Sequence, residues 1–380
     1  MRSKLFFWAA ASALLTSTFI CTLSSAKPMS TYFLYVGTYG EGIYGYRYSP
    51  DSGKLDSLGV VGKIDAPSFL TSDRGFNRLY AVSEATHGDG AVAGFTINRE
   101  TGALTEINSL SSAGTSPCHL ALDHTGKILV AANYGTGSVP VYPVENDGKL
   151  GTMATLLTAE GSSVNAQRQK GPHAHQTVIS SDNKFLYVPD LGLDQIRIYR
   201  LDPAAHKVTP NDPPFAKEQP GYGPRHMVLS PNGKFAYVVN ELKSFVTAFT
   251  RNASTGALEP FQYASTLPEG YSGVENNPAE LLIDKAGKHI YASNRGAGSI
   301  AVFSLDSGSG KLTQVQVADV GTIPRGVEID PTGHVLFAGD QKGNRFATFT
   351  IDQNSGKLTP TGKTYDLPTP VAFYFVPANK

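Results

Sequence analysis

Residues 224–241 read PRHMVLSPNGKFAYVVNE, and the fold follows from this stretch. An apolar segment follows the proline, Ser-Pro-Asn-Gly interrupts it, and a second apolar segment ends in a polar pair. Two apolar segments on either side of such a turn are typical of a β-hairpin. Related hairpins begin at Pro67, Pro117, Ala174, Pro278 and Pro324. Six copies of one unit indicate a repeat architecture.

A turn that ends in Gly-Lys-Leu, or in a close variant, follows the hairpins. It reads SPDSGKL, NRETGAL, ENDGKL, NASTGAL, SGSGKL and QNSGKL, with a degenerate AAHKV at 204–208. A seventh hairpin is divided between the chain ends, with its first strand at 370–375 (PVAFYF) and its second at 33–38 (FLYVGT). Such sharing closes a ring of blades and leaves no open sheet edge. The sequence therefore predicts an all-β, seven-bladed β-propeller, as a single domain over 27–380.

The spacing between the hairpins is uneven. Insertions over 159–170, 210–222 and 268–277 lengthen the segments that lead into three innermost strands. Because these segments all reach the innermost strands from the same side, we expect them on one face of the disc. Long loops grouped on one face usually build a binding site.

The composition agrees with a turn-rich β domain and excludes several functions. The 380 residues include 39 Gly and 24 Pro, more than a helical bundle tolerates. The 32 basic and 32 acidic residues cancel, so no long-range field attracts a polyanion, and no nucleic acid partner is expected. The absence of P-loop and G-x-S-x-G motifs argues against nucleotide hydrolases and serine hydrolases of the α/β type, and no H-E-x-x-H motif is present. Nothing in the sequence demands a cofactor.

The first 26 residues have the composition of a secretory signal. Two basic residues precede an uncharged, mostly apolar run over 5–23, and Ser24-Ser25-Ala26 offers a cleavage site. A transmembrane anchor is the alternative, but hydroxyl side chains within the run weaken it as a membrane span. Cleavage near Ala26 predicts an exported protein, periplasmic or secreted, with no membrane attachment in its mature form. Cys118 would then be the single cysteine, so no internal disulfide is expected.

Three positions of each blade converge around the axial pocket, because the innermost strand begins and its neighbour ends on the same face. The first position follows the initial Pro or Ala and reads Ser68, Cys118, His175, Arg225, Ala279, Arg325 and Val371. The second closes the second strand and reads Thr38, Ser83, Asn133, Asp190, Asn240, Asn294 and Asp340. The third is one residue later and reads Tyr39, Glu84, Tyr134, Leu191, Glu241, Arg295 and Gln341.

Comparison of the blades distinguishes residues that the fold needs from candidate functional residues at these positions. The second position is small and polar throughout, as expected of a residue that ties down a turn. The first and third vary freely, so no blade needs a charged residue there. His175, Arg225, Arg325, Glu241 and Arg295 therefore indicate a site that could bind an anionic substrate and move a proton. A charge network that closes the channel is the alternative.

Other candidates carry weaker signals. His173 and His175 are two residues apart, which would place both on one face of a strand, but no third ligand accompanies them and no metal is predicted. Cys118 occupies the first position, where it could line the pocket, but a lone thiol is more often a small packed side chain. The next position along the innermost strands carries His119, His226 and Glu280, and strict alternation would turn it away from the channel.

A family resemblance runs through six short segments: 171–175 (GPHAH), 188–192 (VPDLG), 223–228 (GPRHMV), 239–242 (VNEL), 293–295 (SNR) and 324–326 (PRG). They resemble the lactonase family of seven-bladed propellers, which includes bacterial 6-phosphogluconolactonases and fungal 3-carboxy-cis,cis-muconate lactonizing enzymes. The resemblance covers essentially the whole chain after residue 26. It implies a catalytic set of His175, Arg225, Glu241 and Arg295. We further expect substrate contacts from Arg325, His173, His226 and Asp190.

The resemblance implies hydrolysis of a sugar lactone, or of a related anionic lactone, as the small-molecule substrate. His175 or Glu241 would activate water, and Arg225 and Arg295 would hold the acid group or the developing oxyanion. A muconate-type cycloisomerase would use the same residues to form a lactone, and a non-catalytic ligand-binding propeller is a further alternative. Export argues against a phosphorylated sugar as the everyday substrate, because the phosphogluconolactonases act in the cytosol.

Overall fold

The computed structural model describes Met1, residues 31–85 and residues 89–378. The signal predicted at 1–26 lies outside these residues, apart from Met1. Within the described ranges, no helix is long and apolar enough to cross a membrane. The regular elements of these ranges are all β-strands.

The described residues form seven four-stranded antiparallel sheets, and each sheet is one blade. The innermost strands are β4 (Leu70–Ser72), β8 (Pro117–Leu122), β12 (Val178–Ile179), β16 (Pro224–Leu229), β20 (Pro278–Ile283), β24 (Pro324–Ile329) and β28 (Pro370–Pro377). The second strands are β1 (Tyr32–Thr38), β5 (Arg78–Ser83), β9 (Ile128–Asn133), β13 (Phe185–Asp190), β17 (Phe235–Asn240), β21 (His289–Asn294) and β25 (Val335–Asp340).

Two further strands complete each blade toward the rim. The third strands are β2 (Glu41–Ser49), β6 (Ala91–Ile97), β10 (Val139–Pro143), β14 (Gln195–Asp202), β18 (Phe245–Arg251), β22 (Ser299–Leu305) and β26 (Arg345–Ile351). The outermost strands are β3 (Lys54–Asp65), β7 (Leu104–Ser111), β11 (Thr155–Leu157), β15 (Lys207–Lys217), β19 (Leu258–Ser265), β23 (Leu312–Asp319) and β27 (Leu358–Asp366).

The two ends of the chain close the ring. Strand β28 pairs antiparallel with β1, from Tyr32 opposite Pro377 to Thr38 opposite Pro370. The predicted propeller, with its last blade shared between the termini, is confirmed. Main-chain hydrogen bonds at this seam join the first and last segments, so the ring needs no open sheet edge there.

Apolar contacts between neighbouring blades form the core. Each of seven buried clusters joins residues of two adjacent blades. The second strands are therefore packed on both faces, and β9, β13, β17 and β21 are buried at every position. This packing explains why these strands read as nearly continuous apolar runs, although the sheets are antiparallel.

The tyrosine of the second strand contacts the recurring glycine turn of the next blade, and this contact explains why both features repeat along the chain. The hydroxyl of Tyr237 donates to the carbonyl of Gly310 in the next blade at 2.9 Å. The same bond joins Tyr35 to Gly102, Tyr80 to Gly148, Tyr187 to Gly256 and Tyr291 to Gly356. Gly310 has a φ of +74°, and a Cβ there would lie 2.5 Å from Cδ1 of Phe235. Both the backbone conformation and the packing thus require glycine in this turn.

A β-bulge recurs at the start of the innermost strands. Pro224 pairs with Asn240 and His226 pairs with Val239, so Arg225 is one residue in excess. The same excess occurs in the blades of β8, β12, β20, β24 and β28. A bulge re-aims the side chains around it, so strict alternation does not hold along these strands.

Two segments differ from the expected hairpin pattern. The insertion predicted over 210–222 is partly strand, because β15 continues to Lys217 and pairs that residue with Gln195. The innermost strand predicted from Ala174 is reduced to Val178–Ile179, since the bulge leaves only an isolated bridge between Ala174 and Asp190 ahead of it.

Candidate active site

Glu241 is the centre of a charged cluster at the mouth of the axial channel. It follows the last residue of β17, and its side chain is only 6% exposed. Its Oε2 accepts a hydrogen bond from Nε of Arg225 at 2.9 Å and lies 2.8 Å from Nη2 of Arg295. Its Oε1 accepts a hydrogen bond from Nη2 of Arg168 at 2.6 Å. Three guanidinium groups thus surround one carboxylate.

This arrangement fixes the charge of the cluster. Burial alone would raise the pKa of Glu241, but Arg295, Arg225 and Arg168 together outweigh burial and lower the pKa to about 2. The carboxylate is therefore ionised near neutral pH, where three cations against one anion leave an excess of two positive charges. Fixed positive charge of this kind attracts an anionic group.

His175 lies beside this carboxylate at the bulged start of its blade. Its Nε2 is 3.8 Å from Oε2 of Glu241, and its Nδ1 is 3.6 Å from Sγ of Cys118. Burial, with Arg225 and His226 close by, lowers the pKa of His175 well below the ordinary histidine value. The imidazole is therefore neutral near pH 7 and can accept a proton.

Arg225 is the most deeply buried cation of the cluster, with a side chain that is 2% exposed. Its Nη1 donates to the carbonyl of Ala279 in the next blade. Burial, Arg295 and Arg325 lower the pKa of Arg225 to about 10, so the group still carries its charge near neutral pH. A charge held in a water-poor site stabilises an oxyanion more strongly than the same charge in water.

Arg325 belongs to a separate ion pair. Its Nη2 lies 3.4 Å from Oε2 of Glu84, and its guanidinium covers the ring of Tyr39 at 5.1 Å. The hydroxyl of Tyr39 donates to Oε2 of the same carboxylate at 3.2 Å. Arg325 therefore adds no net charge to the site, although it lies near enough to lower the pKa of Arg225.

A cavity of about 460 Å³ opens over Glu241. It is lined by Arg168, Glu241, Asn277, Arg295, Gly296, Ile323 and Gln341. Arg168 and Asn277 belong to the first and third insertions, the segments expected on this face. Arg168 was not predicted from the sequence, because the length and polarity of the insertion indicate a wall of the site but do not distinguish one polar loop residue from another.

His226, like His175 and Arg225, lies beneath the residues that line this mouth, and it is placed among groups of the axial channel. Its Nδ1 is 2.6 Å from Oε1 of Glu280, and its ring centroid is 5.6 Å from that of His119. An axial cavity of about 290 Å³, lined by His119, Glu280 and residues from all seven blades, occupies the channel. The expectation that this position faces away from the channel is wrong, because the bulge shifts the alternation. The ring of His226 also lies beside that of His175, with 5.3 Å between the two centroids.

His173 and Asp190 hold the backbone beside the site. The Nδ1 of His173 donates to the carbonyl of Tyr134 at 2.7 Å, and its half-buried ring stacks on that tyrosine. Asp190 is fully buried, and its Oδ1 accepts the backbone N–H groups of His173 and Gly192. Its Oδ2 lies 3.3 Å from Nη2 of Arg197. Asp190 thus bonds the turn, as expected of its position in the blade, and a contact of Asp190 with substrate stays a prediction.

The two histidines considered as a metal pair make divergent contacts. His173 bonds a backbone carbonyl, whereas His175 faces Cys118 and Glu241. Among the residues that the structure describes, no three His, Cys, Asp or Glu side chains are arranged to hold a metal ion.

Comparison with known proteins relates this fold and site to characterised relatives. The family described as "Lactonase, 7-bladed beta-propeller" matches residues 33–375. The 6-phosphogluconolactonase of Bacillus subtilis is 32% identical over 302 residues, which cover 78% of this chain and 84% of that protein. The 6-phosphogluconolactonase of Formosa agariphila is 32% identical over 291 residues, covering 73% and 80%. The solved periplasmic gluconolactonase of Pseudomonas aeruginosa is 30% identical with a TM-score of 0.87, covering 92% of this chain and 100% of that one.

Proposed function

Because this chain belongs to the lactonase family of seven-bladed β-propellers, we propose that the site at its channel mouth hydrolyses a sugar lactone. The relatives' names support hydrolysis over lactone formation by a cycloisomerase, and an enzyme over a ligand-binding propeller. The single observation that carries the proposal is a neutral imidazole, His175, beside a carboxylate that three arginines hold ionised.

We assign His175 as the general base. A histidine with a lowered pKa is unprotonated at working pH, so it can take a proton from water at once. Glu241 is the poorer base of the two, because both of its oxygens are engaged by guanidinium groups, which lower its pKa to about 2. Its two oxygens instead bind the guanidinium groups and orient them toward the mouth.

Hydrolysis then proceeds in two steps. As the water oxygen bonds to the lactone carbonyl carbon, Nε2 of His175 takes a water proton and the carbonyl oxygen becomes an oxyanion. The guanidinium of Arg225, the most deeply buried cation of the cluster, stabilises this charge. When the carbon–oxygen bond of the ring breaks, protonated His175 returns its proton to the departing ring oxygen. The product is an open-chain hydroxy acid, and His175 is neutral again.

A pH-indicator assay tests this function. Glucono-1,5-lactone, its 6-phosphate and a muconolactone are compared, and only a rate proportional to enzyme counts, since these lactones also hydrolyse unaided. We expect acceleration of at least one sugar lactone, and a loss of about 10²- to 10⁴-fold in His175→Ala. His334→Ala is the matched control, because His334 is exposed in the turn between β24 and β25. No acceleration of any lactone by folded protein would favour a ligand-binding propeller.

Export is a second part of the proposal. The basic start, apolar run and small residues of 1–26 support a leader that is cleaved near Ala26. The relative described as a periplasmic gluconolactonase supports the same location. Expression of the full chain in a Gram-negative host, with fractionation and N-terminal sequencing, tests it. We expect periplasmic protein that begins near Lys27, and an uncleaved cytoplasmic product would contradict export.

A further inference from the structure

The proposed mechanism leaves Arg168 without a role. Its side chain is 38% exposed, against 21% for Arg295 and 2% for Arg225. Its Nη2 contacts Oε1 of Glu241 at 2.6 Å and the hydroxyl of Tyr134 at 3.0 Å. Arg168 therefore lies on the solvent side of the carboxylate, where an entering ligand meets it before the buried cations.

The backbone around Arg168 is held in place by its own loop. The Oδ1 of Asn165 accepts the N–H groups of Gln167 and Arg168 at 3.0 and 3.1 Å. Gln169 is fully buried, and its Nε2 donates to the carbonyl of Leu191 at 2.8 Å. Because both neighbours of Arg168 are fixed, the guanidinium is presented to the mouth from a defined position.

The same loop is tied to the segment that leads into Arg225. Ser163 donates its hydroxyl to Oδ2 of Asp194, which is itself buried. The other oxygen of Asp194 accepts the backbone N–H of Gly223 at 2.7 Å, two residues before Arg225. One carboxylate thus joins the first insertion to the second, so Arg168 belongs to a built wall of the site.

The mouth carries an excess of positive charge, because three arginines surround the single carboxylate of Glu241 among the described residues. Arg168 and Arg295 contact opposite oxygens of Glu241, and both line the cavity of about 460 Å³. A guanidinium has five N–H donors, and Arg168 uses a single nitrogen for both of its contacts. Arg295 donates from Nε and Nη2 to the carbonyls of Asn277 and Pro278, so it offers mainly Nη1 to a ligand. A phosphate or carboxylate group could therefore be held by the other N–H groups of Arg168, with the charge of Arg295 beside it, while Arg225 keeps its bond to Glu241.

We propose that Arg168 is a specificity-determining residue, which selects lactones that carry an anionic substituent away from the ring over neutral lactones. The inference rests on the proposed lactonase function. It leaves the ring itself to His175 and Arg225, and it assigns the remote acid group to Arg168 and Arg295.

A matched pair of substrates tests this assignment. Glucono-1,5-lactone and its 6-phosphate share one ring and differ only in the anionic group. In Arg168→Gln we expect kcat/KM for the phosphate to fall, through KM, about 10- to 100-fold more than kcat/KM for the neutral lactone. Arg74→Gln is the control, because Arg74 is an exposed arginine in the turn between β4 and β5.

A binding measurement separates selectivity from turnover. Calorimetric titration with the products 6-phosphogluconate and gluconate should show that Arg168→Gln weakens only the former, by about 10- to 100-fold. Arg168→Lys keeps the charge without the fork and should recover part of the loss. Melting temperatures confirm that each variant is folded.

The outcomes distinguish this inference from the function on which it rests. Equal losses for both substrates in Arg168→Gln would mean that Arg168 only positions Glu241, and would overturn the inference while leaving the lactonase intact. Equal activity of the wild-type protein on both substrates would also overturn it. No activity of the wild-type protein on either lactone would instead contradict the proposed function.

Discussion

The Nε2 atom of His175 lies 3.8 Å from Oε2 of Glu241, and each side chain is 6% exposed. Either side chain could act as a base on its own, but their surroundings give them different charges. Burial and nearby cations keep His175 neutral, whereas the guanidinium groups keep Glu241 ionised. Both groups are therefore unprotonated near neutral pH, His175 as a neutral ring and Glu241 as an anion, and this difference in charge suits them to different roles.

The pH dependence of the reaction should reflect His175. Its pKa is lowered, and only the unprotonated ring can act, so kcat/KM should stay level as pH falls from 7 to 6.5 and decline only at lower pH. Neutral glucono-1,5-lactone is the substrate for this profile, because it carries no titrating group. An acid limb centred at or above pH 6.5 would contradict the assignment, and Glu241 cannot produce one there since its pKa is about 2.

Cys118 should be dispensable for catalysis although it contacts His175. Its thiol is 3% exposed, and burial raises its pKa, so almost no thiolate forms near neutral pH. We expect Cys118→Ala to retain activity within about threefold, and thiol reagents to leave the folded protein active. A loss that matches His175→Ala would instead indicate a nucleophilic thiol.

Removal of the charge of Glu241 should destabilise the fold. Glu241→Gln leaves the buried guanidinium of Arg225 without a counter-charge, and loss of one partner from a buried ion pair costs about 3–5 kcal/mol. Glu84→Gln is the comparison, because the ion pair that the described residues give Glu84 is with Arg325, at a longer distance of 3.4 Å. Urea unfolding at neutral pH measures both variants. A larger loss in Glu84→Gln than in Glu241→Gln would contradict this account.

The glycine turns offer a test of packing between blades. Gly310 and Gly333 have φ values of +74° and +79°, but a Cβ would clash with Phe235 only at Gly310. Gly333→Ala should cost about 1–2 kcal/mol from backbone strain alone. Gly310→Ala should cost clearly more, because Phe235 must also move. Thermal and urea unfolding measure the difference, and equal losses would show that the clash is relieved freely.

Much of the site was predictable because the chain repeats. Equivalent positions of each blade occupy equivalent places around the axis, so comparison of the blades predicted that His175, Arg225 and Glu241 lie close together. The same logic predicted that Asp190 ties down a turn, but it failed at His226, where a bulge shifts the alternation. An extra residue that recurs in the blades leaves the spacing of the repeat unchanged, so the bulge cannot be recognised from the repeat.

The sequence by itself determined the number of blades, their closure and the face that carries the site, because period and alternation are local properties of the chain. Only the tertiary structure decided which groups touch. Arg168 meets Glu241 across 73 positions because Gln169 and Asp194 fold an irregular insertion back over the mouth. Such contacts depend on the path of a loop through space, and no periodic pattern in the sequence encodes that path.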